Sequence, residues 1–179
     1  MVDEGYKQTN IYAGCFMENI LILSDIHSYY RYAVEAVKMH PECKTVIFLG
    51  DGARHLDALR EAAPNAAFVA VRGNCDTFLD GVSETELVLE LGGHRIFLCH
   101  GHTRGVKYGH CGLLSAAKEK HADIALYGHT HIAHEEYDSE SGVYLLCPGS
   151  IGAPRDGRFT YGLLSMDAKN VLFSIGEIG

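Results

Sequence analysis

The sequence is short of positive charge. Fifteen Lys and Arg stand against 23 Asp and Glu, a formal net charge of −8. Nucleic-acid affinity rests on Lys and Arg neutralising phosphates, so an extended nucleic-acid surface is excluded. No run of 18 apolar residues occurs, which excludes a membrane-spanning helix. Six cysteines are present but form no Cys-x-x-Cys pair, so a zinc-ribbon reading fails. Scattered cysteines without a secretory signal read as free thiols in a reducing cytoplasm. Met1–Phe16 has neither the basic start nor the apolar stretch of such a signal. This stretch reads as an N-terminal extension or a misplaced start ahead of Met17; the alternative is a strand through Asn10–Phe16. Low-complexity stretches, charge runs and internal linkers are missing as well. Residues 17–179 are therefore expected to form one domain.

What the chain does have is apolar content, 47 % of its 179 residues, and eleven histidines. The first is enough for a real core at this length. The second is a stock of the commonest metal ligand.

Short apolar runs at Asn19–Ser24, Thr45–Gly50 and Ala67–Arg72 read as strands buried on both faces. Between them, Tyr30–His40 and Ala53–Ala63 carry apolar residues at a helical period. The first half is thus β-α-β-α-β, which implies parallel strands covered by helices. In the second half Glu84–Leu91 alternates, Gly92-Gly93 marks a turn, and Arg95–Cys99 completes a hairpin. Leu113–Ala122 reads as a helix. Ile124–Tyr127, Val143–Cys147, Tyr161–Ser165 and Val171–Ile175 read as further strands. The expected α/β architecture is two sheets face to face with helices outside.

In open α/β sheets a ligand site lies beyond the carboxyl ends of the strands. Here the strand ends carry Ser24-Asp25-Ile26-His27, Gly50-Asp51-Gly52, Gly73-Asn74-Cys75-Asp76, Cys99-His100-Gly101-His102 and Gly128-His129-Thr130-His131. Any one of these reads equally well as a turn, a helix cap or a surface histidine. Their recurrence, once per structural unit and always after an apolar strand, does not. Two carboxylates, an amide oxygen and four imidazoles exceed the four ligands of a tetrahedral zinc. They divide naturally between two divalent cations that share one carboxylate, an arrangement able to clamp a phosphoryl group. Four histidines argue against all-oxygen Mg²⁺ or Ca²⁺ sites and for Mn²⁺, Ni²⁺, Zn²⁺ or Fe.

The set Asp-x-His, Gly-Asp, Gly-Asn, His, Gly-His-x-His resembles the calcineurin-like metallophosphoesterase superfamily from about Asn19 to the C-terminus. Within it, the chain resembles the small bacterial and archaeal phosphodiesterases of the YfcE type, which carry Cys after Gly-Asn. The resemblance implies a four-layer α/β/β/α sandwich of two mixed sheets. It implies that Asp25, His27 and His131 hold one metal and Asn74, His100 and His129 a second, with Asp51 bridging. It implies a phosphodiesterase in which a metal-bridging hydroxide attacks phosphorus, with Mn²⁺ the first expectation for the metals.

One departure matters. Many superfamily members have a leaving-group histidine where this chain has Cys75, and a thiol is a poor acid at neutral pH. Diesters with good leaving groups are therefore expected over alkyl monoesters. His102 is the remaining candidate proton donor, with a supporting or surface role as the alternative. Asp76 reads as orienting a neighbouring group or as a turn cap. Asn74, Cys75, Ser150 and Arg155 are the expected substrate contacts, with Arg158 also available to a phosphate. His40, His55, His94, His110, His121 and His134 fit no motif and read as ordinary surface residues. The expected partner is a small phosphodiester, and homo-oligomerisation stays open. The rival readings are a non-catalytic scaffold like the retromer subunit Vps29, and a phosphomonoesterase or protein phosphatase.

Overall fold

The computed structural model describes residues 17–179, so the expectations for Met1–Phe16 lie outside the described residues. Strand β1 (Glu18–Leu23) leads to helix α1 (Tyr30–Met39), β2 (Thr45–Phe48), α2 (Leu56–Ala62) and β3 (Ala67–Ala70). Next come β4 (Glu86–Leu91), β5 (His94–Cys99), α3 (Cys111–Glu119) and β6 (Ile124–Leu126). The chain ends with β7 (Ala133–Asp138), β8 (Val143–Pro148), β9 (Phe159–Asp167) and β10 (Asn170–Ile178).

The strands form two five-stranded sheets, β10-β9-β1-β2-β3 and β4-β5-β6-β8-β7. In the first, β1, β2 and β3 are parallel, and β9 runs antiparallel to β1 and β10. In the second, β5, β6 and β8 are parallel between antiparallel edges β4 and β7. Both sheets are therefore mixed, as expected.

Alternation along each strand builds the layers. Ile20 and Ile22 of β1 face the second sheet and pack with Ile96, Leu98 and Leu126. Leu21 and Leu23 point the opposite way, towards Ala33, Ala36 and Val37 of α1. Those three recur at the spacing of one helical face. On the far side Phe97, Ala125 and Tyr127 pack against Leu113, Ala116 and Ala117 of α3. Each fully buried Ile or Leu here contributes ~1.5–3 kcal/mol by leaving water. The order is α/β/β/α.

The β4–β5 hairpin closes through Gly92 and Gly93, both at positive φ (60° and 88°), as a two-residue turn matched to strand twist requires. Two features differ from the sequence reading. Strand β7 was not expected, because Ala-His-Glu-Glu-Tyr-Asp has no apolar face and its middle residues are exposed. It forms because its backbone pairs with β8 from His134↔Cys147 to Asp138↔Val143. Strands β9 and β10 each run nine residues, longer than their apolar cores, since mutual pairing carries polar residues along. None of the described helices is long and apolar enough to cross a membrane.

Register positions the site. The pairs Leu23↔Phe48 and Phe48↔Ala70 keep the ends of β1, β2 and β3 level. Leu98↔Leu126 and Leu126↔Leu146 do the same for β5, β6 and β8. All six parallel strands thus end on one rim.

Candidate metal centre

Six non-glycine residues have positive φ among the described residues, and five of them are expected ligands. They are Asp25 (55°), His27 (46°), Asp51 (63°), His129 (68°) and His131 (61°). Left-handed backbone outside glycine costs ~1–2 kcal/mol per residue, so its concentration here calls for compensation. Each strand turns sharply at its end and directs a polar side chain inward over the rim.

The seven expected ligands converge in two adjoining groups. In the first, His131 Nε2 lies 3.1 Å and His27 Nε2 3.9 Å from Asp25 Oδ1, and the two nitrogens are 3.4 Å apart. In the second, His100 Nε2 lies 3.4 Å from Asp51 Oδ2, 3.2 Å from His129 Nδ1 and 3.1 Å from Asn74 Oδ1. Asp51 Oδ2 is also 3.9 Å from His27 Nε2, which puts this carboxylate between the groups. Asp25, Asp51 and His100 are buried, whereas the histidines of the first group reach the surface.

Neighbouring groups fix which atoms face inward. His100 Nδ1–H donates to Leu49 O at 2.7 Å, and His131 Nδ1–H donates to Ala153 O. The Nε2 lone pairs are left free for a ligand, the usual second-sphere arrangement of metal-binding imidazoles. Asp25 Oδ2 accepts from Ser24 Oγ (2.6 Å) and the His129 N–H (3.0 Å). Asp25 Oδ1, by contrast, is buried without a hydrogen bond although nitrogens surround it. Acceptor faces acceptor here, which is costly unless positive charge sits between them.

Electrostatics agree. Burial pushes the Asp25 and Asp51 carboxyls up, but nearby imidazoles outweigh it: both stay below the ordinary carboxylate range. Burial pulls the His100 imidazole down, yet Asp51 and Asp25 more than reverse this. Asp25 likewise raises His131. The His129 imidazole is driven down to about 4, by burial first and then by His100. The cluster thus calls for positive charge, met by protons on His100 and His131 or by cations. Mixed N and O donors fit transition-type divalent ions, and Asp25, His27, His131 and Asp51, His100, His129 are two compact ligand triads.

The other expected site residues divide. Asp76 takes four backbone N–H bonds: from Asp51 (2.8 Å), Gly52 (2.7 Å), Ala53 (2.9 Å) and Gly73 (2.8 Å). With both oxygens so engaged it pins two loops and holds the Asp51 turn in place. Ser150 is corrected too: fully buried, it donates to Asp25 O (2.8 Å) and accepts from the Ala153 N–H (2.8 Å). It holds the Asp25 turn and leaves no exposed surface on the rim. His102 sits beside the cluster, its ring centroid 5.3 Å from that of His100. Burial and then the His100 charge lower its pKa, which disfavours an imidazolium there.

Cys75 is exposed on the rim, and its N–H donates to Asp51 Oδ1 (2.7 Å). Burial and then Asp51 push its thiol up to about 11. Asn74 Nδ2 donates to Cys75 Sγ at 3.2 Å. Arg155 is exposed, and its N–H donates to His131 O (3.2 Å). Arg158 is engaged by Asp156.

Two contributors escaped the sequence reading. His55 Nε2–H donates to His27 O at 2.9 Å, and Arg54 Nη2 donates to the same oxygen at 3.1 Å. Arg54 also lines a cleft with His27, Asp51, Cys75, Asp76 and Asp80. The available signal was the polar pair directly after Gly-Asp-Gly-Ala.

An α/β/β/α sandwich with Asp, Asn and His donors gathered on one rim defines a metallophosphoesterase. Residues 18–169 match the calcineurin-like phosphoesterase superfamily domain, and the chain belongs to that superfamily. The chain is 33% identical to a probable metallophosphoesterase, YsnB, of Bacillus subtilis, over 87% of this chain and 89% of that one. It is 28% identical to the phosphodiesterase YfcE of Escherichia coli K12, over 87% and 92% of the two chains. A predicted phosphoesterase from Streptococcus pneumoniae superposes with a TM-score of 0.76, at 26% identity, over 90% of each chain. Vps29 of Cryptosporidium parvum shares the fold, with a TM-score of 0.71 at 18% identity over 92% and 99%.

Proposed function

We propose that this chain is a phosphodiesterase that works with two divalent cations. The observation carrying this reading is the buried Asp25 Oδ1, unbonded among imidazole nitrogens. Asp25, His27 and His131 would hold one ion, Asn74, His100 and His129 the other, and Asp51 both. When bound, the two ions supply positive charge against the phosphoryl oxygens and lower the pKa of a water molecule. Mn²⁺ is the first candidate, with Ni²⁺, Zn²⁺ and Fe as alternatives. Asn74 orients its amide through His100 and Cys75, while Arg155 and Cys75 on the rim are the proposed substrate contacts. Asp76 and Ser150 keep Asp51 and Asp25 in their strained turns. A thiol pushed up to about 11 at Cys75 and a His102 imidazole lowered by burial and the His100 charge are weak acids for a leaving group. Diesters with good leaving groups are therefore favoured over alkyl monoesters.

Purified protein supplied with Mn²⁺ should hydrolyse bis-p-nitrophenyl phosphate, and EDTA should abolish this. Absence of turnover with each of Mn²⁺, Ni²⁺, Zn²⁺ and Fe²⁺ would overturn the enzymatic reading and favour the Vps29-like scaffold. Faster turnover of alkyl monoesters than of diesters would overturn the specificity.

A further inference from the structure

The outer face of the second sheet carries a separate cluster. His134 and Glu136 are two apart on β7, opposite Cys147 and Leu145 of β8. Both of those pack in the layer under α3. His110 stands immediately before α3. The three offer ligand atoms that all lie within 4.8 Å of one another. None of them belongs to the centre on the rim.

Proton counting shows what this cluster lacks. The buried Tyr127 Oη lies 3.0 Å from His110 Nε2 and 3.0 Å from His134 Nδ1. The remaining nitrogen of each ring faces Glu136 Oε2, His110 Nδ1 at 3.0 Å and His134 Nε2 at 3.7 Å. A phenol has one proton, so it donates to one ring and must accept an N–H from the other. With both rings neutral, the ring that donates to Tyr127 has a bare nitrogen left facing the Glu136 carboxylate. That arrangement is repulsive unless a third proton or a cation intervenes.

We propose that His110, His134 and Glu136 form a second, independent binding site for a single divalent cation of the zinc type. Two imidazoles and a carboxylate are a competent three-ligand set for Zn²⁺, with a fourth position left to water. The three side chains are partly exposed, which provides entry. With the ion bound, the nitrogen of each imidazole that faces Glu136 is a lone pair, so both outer nitrogens carry N–H and donate to the two lone pairs of Tyr127 Oη, a contact that fixes ring orientation in metal sites. The ion ties the start of α3 to an edge strand that has little apolar burial of its own.

The test is metal uptake by the full chain. Protein stripped with chelator is dialysed against Zn²⁺ or Co²⁺ and bound metal is counted per chain. His134→Ala and Glu136→Gln should each take up one equivalent fewer than the unsubstituted protein. Tyr127→Phe should weaken that equivalent by roughly tenfold to a hundredfold. In a background carrying both Asp25→Asn and Asp51→Asn, which removes a carboxylate from each rim group, Zn²⁺ should still raise Tm, and adding Glu136→Gln should reduce that rise. Glu136 is exposed on an edge strand, so its substitution leaves the fold intact. Equal metal counts for the unsubstituted protein and both variants would overturn the proposal. Hydrolysis enters none of these readouts, so failure of the proposed function leaves this result standing.

Discussion

Asp76 offers the sharpest test of how the site is held together. Its carboxylate takes four backbone N–H bonds, between 2.7 and 2.9 Å, from Asp51, Gly52, Ala53 and Gly73. Replacement by Asn keeps one acceptor oxygen and turns an NH₂ group against two of the four donors. Hydrogen bonds to a charged acceptor are worth ~1.5–3 kcal/mol each, and stranded buried donors add to the loss. Asp76 is itself partly accessible, so water recovers some of it. The expected net destabilisation from two lost bonds is about 3 kcal/mol. At ~2–4 °C per kcal/mol for a chain of this size, Tm should fall by roughly 6–12 °C. The assay is urea and thermal denaturation of the metal-stripped chain, since bound ions would mask the change by mass action. Mn²⁺ affinity should fall as well, because the Asp51 N–H is one of the four donors. A loss below ~0.5 kcal/mol with unchanged Mn²⁺ affinity would refute the argument that Asp76 positions Asp51.

Three further outcomes are expected. Gly73→Ala would place a Cβ 2.0 Å from Asp51 Oδ1 and 2.4 Å from Asp51 N; backbone must move, so metal content and Tm should both drop, as elemental analysis and calorimetry would record. Cys75→His should raise monoester relative to diester turnover, and an unchanged ratio would remove Cys75 from the leaving-group position. The metal-free chain should be most stable near pH 6.5. His100 and His131 have raised pKa values, so their contribution is full below the unfolded value and fades as pH rises through the folded one. His129, at about 4, and His102 are lowered, so stability also falls with decreasing pH as the unfolded state takes up protons. Bound divalent ions should remove the alkaline limb, because metal needs these imidazoles neutral; denaturation across pH 5–9 with and without Mn²⁺ checks both limbs.

The layers and the rim were legible because buried strands announce themselves as short apolar runs with a polar residue at the end. Register then levels the ends of six parallel strands, so Asp25, Asp51, Asn74, His100 and His129 could be grouped without coordinates. What sequence pattern could not supply is where a side chain points after a turn. Ser150 and Asp76 have the right chemistry for the rim, yet their oxygens turn back to bind the loops behind it. His94, expected at the surface, bonds Asp123 (2.6 Å) and Asp167 O (2.8 Å). His40 is held by Tyr161 and Glu42, each at 2.9 Å. His110 and His134 meet only because β7, polar and without an apolar face, pairs with β8. Long-range pairing of this kind leaves no periodic trace.

The strain at the rim ties metal binding to folding. Five proposed ligands in left-handed conformation store ~5–10 kcal/mol at ~1–2 each, comparable with the net stability of an ordinary domain. Such turns persist only where their surroundings over-determine them. The surroundings are visible: Asp76 fixes the Asp51 turn, Ser150 the Asp25 turn, and Ala153 and Leu49 the rings of His131 and His100. These contacts hold the donors converged even though the converged donors repel, which is preorganisation at the cost of stability. Two divalent ions would relieve that repulsion and halve the formal charge of −8, with the added positive charge confined to the rim. An acidic chain can then attract a small phosphate ester without a basic surface. The body of the protein would stay repulsive to long polyanions, so discrimination by substrate size would follow from where the charge sits.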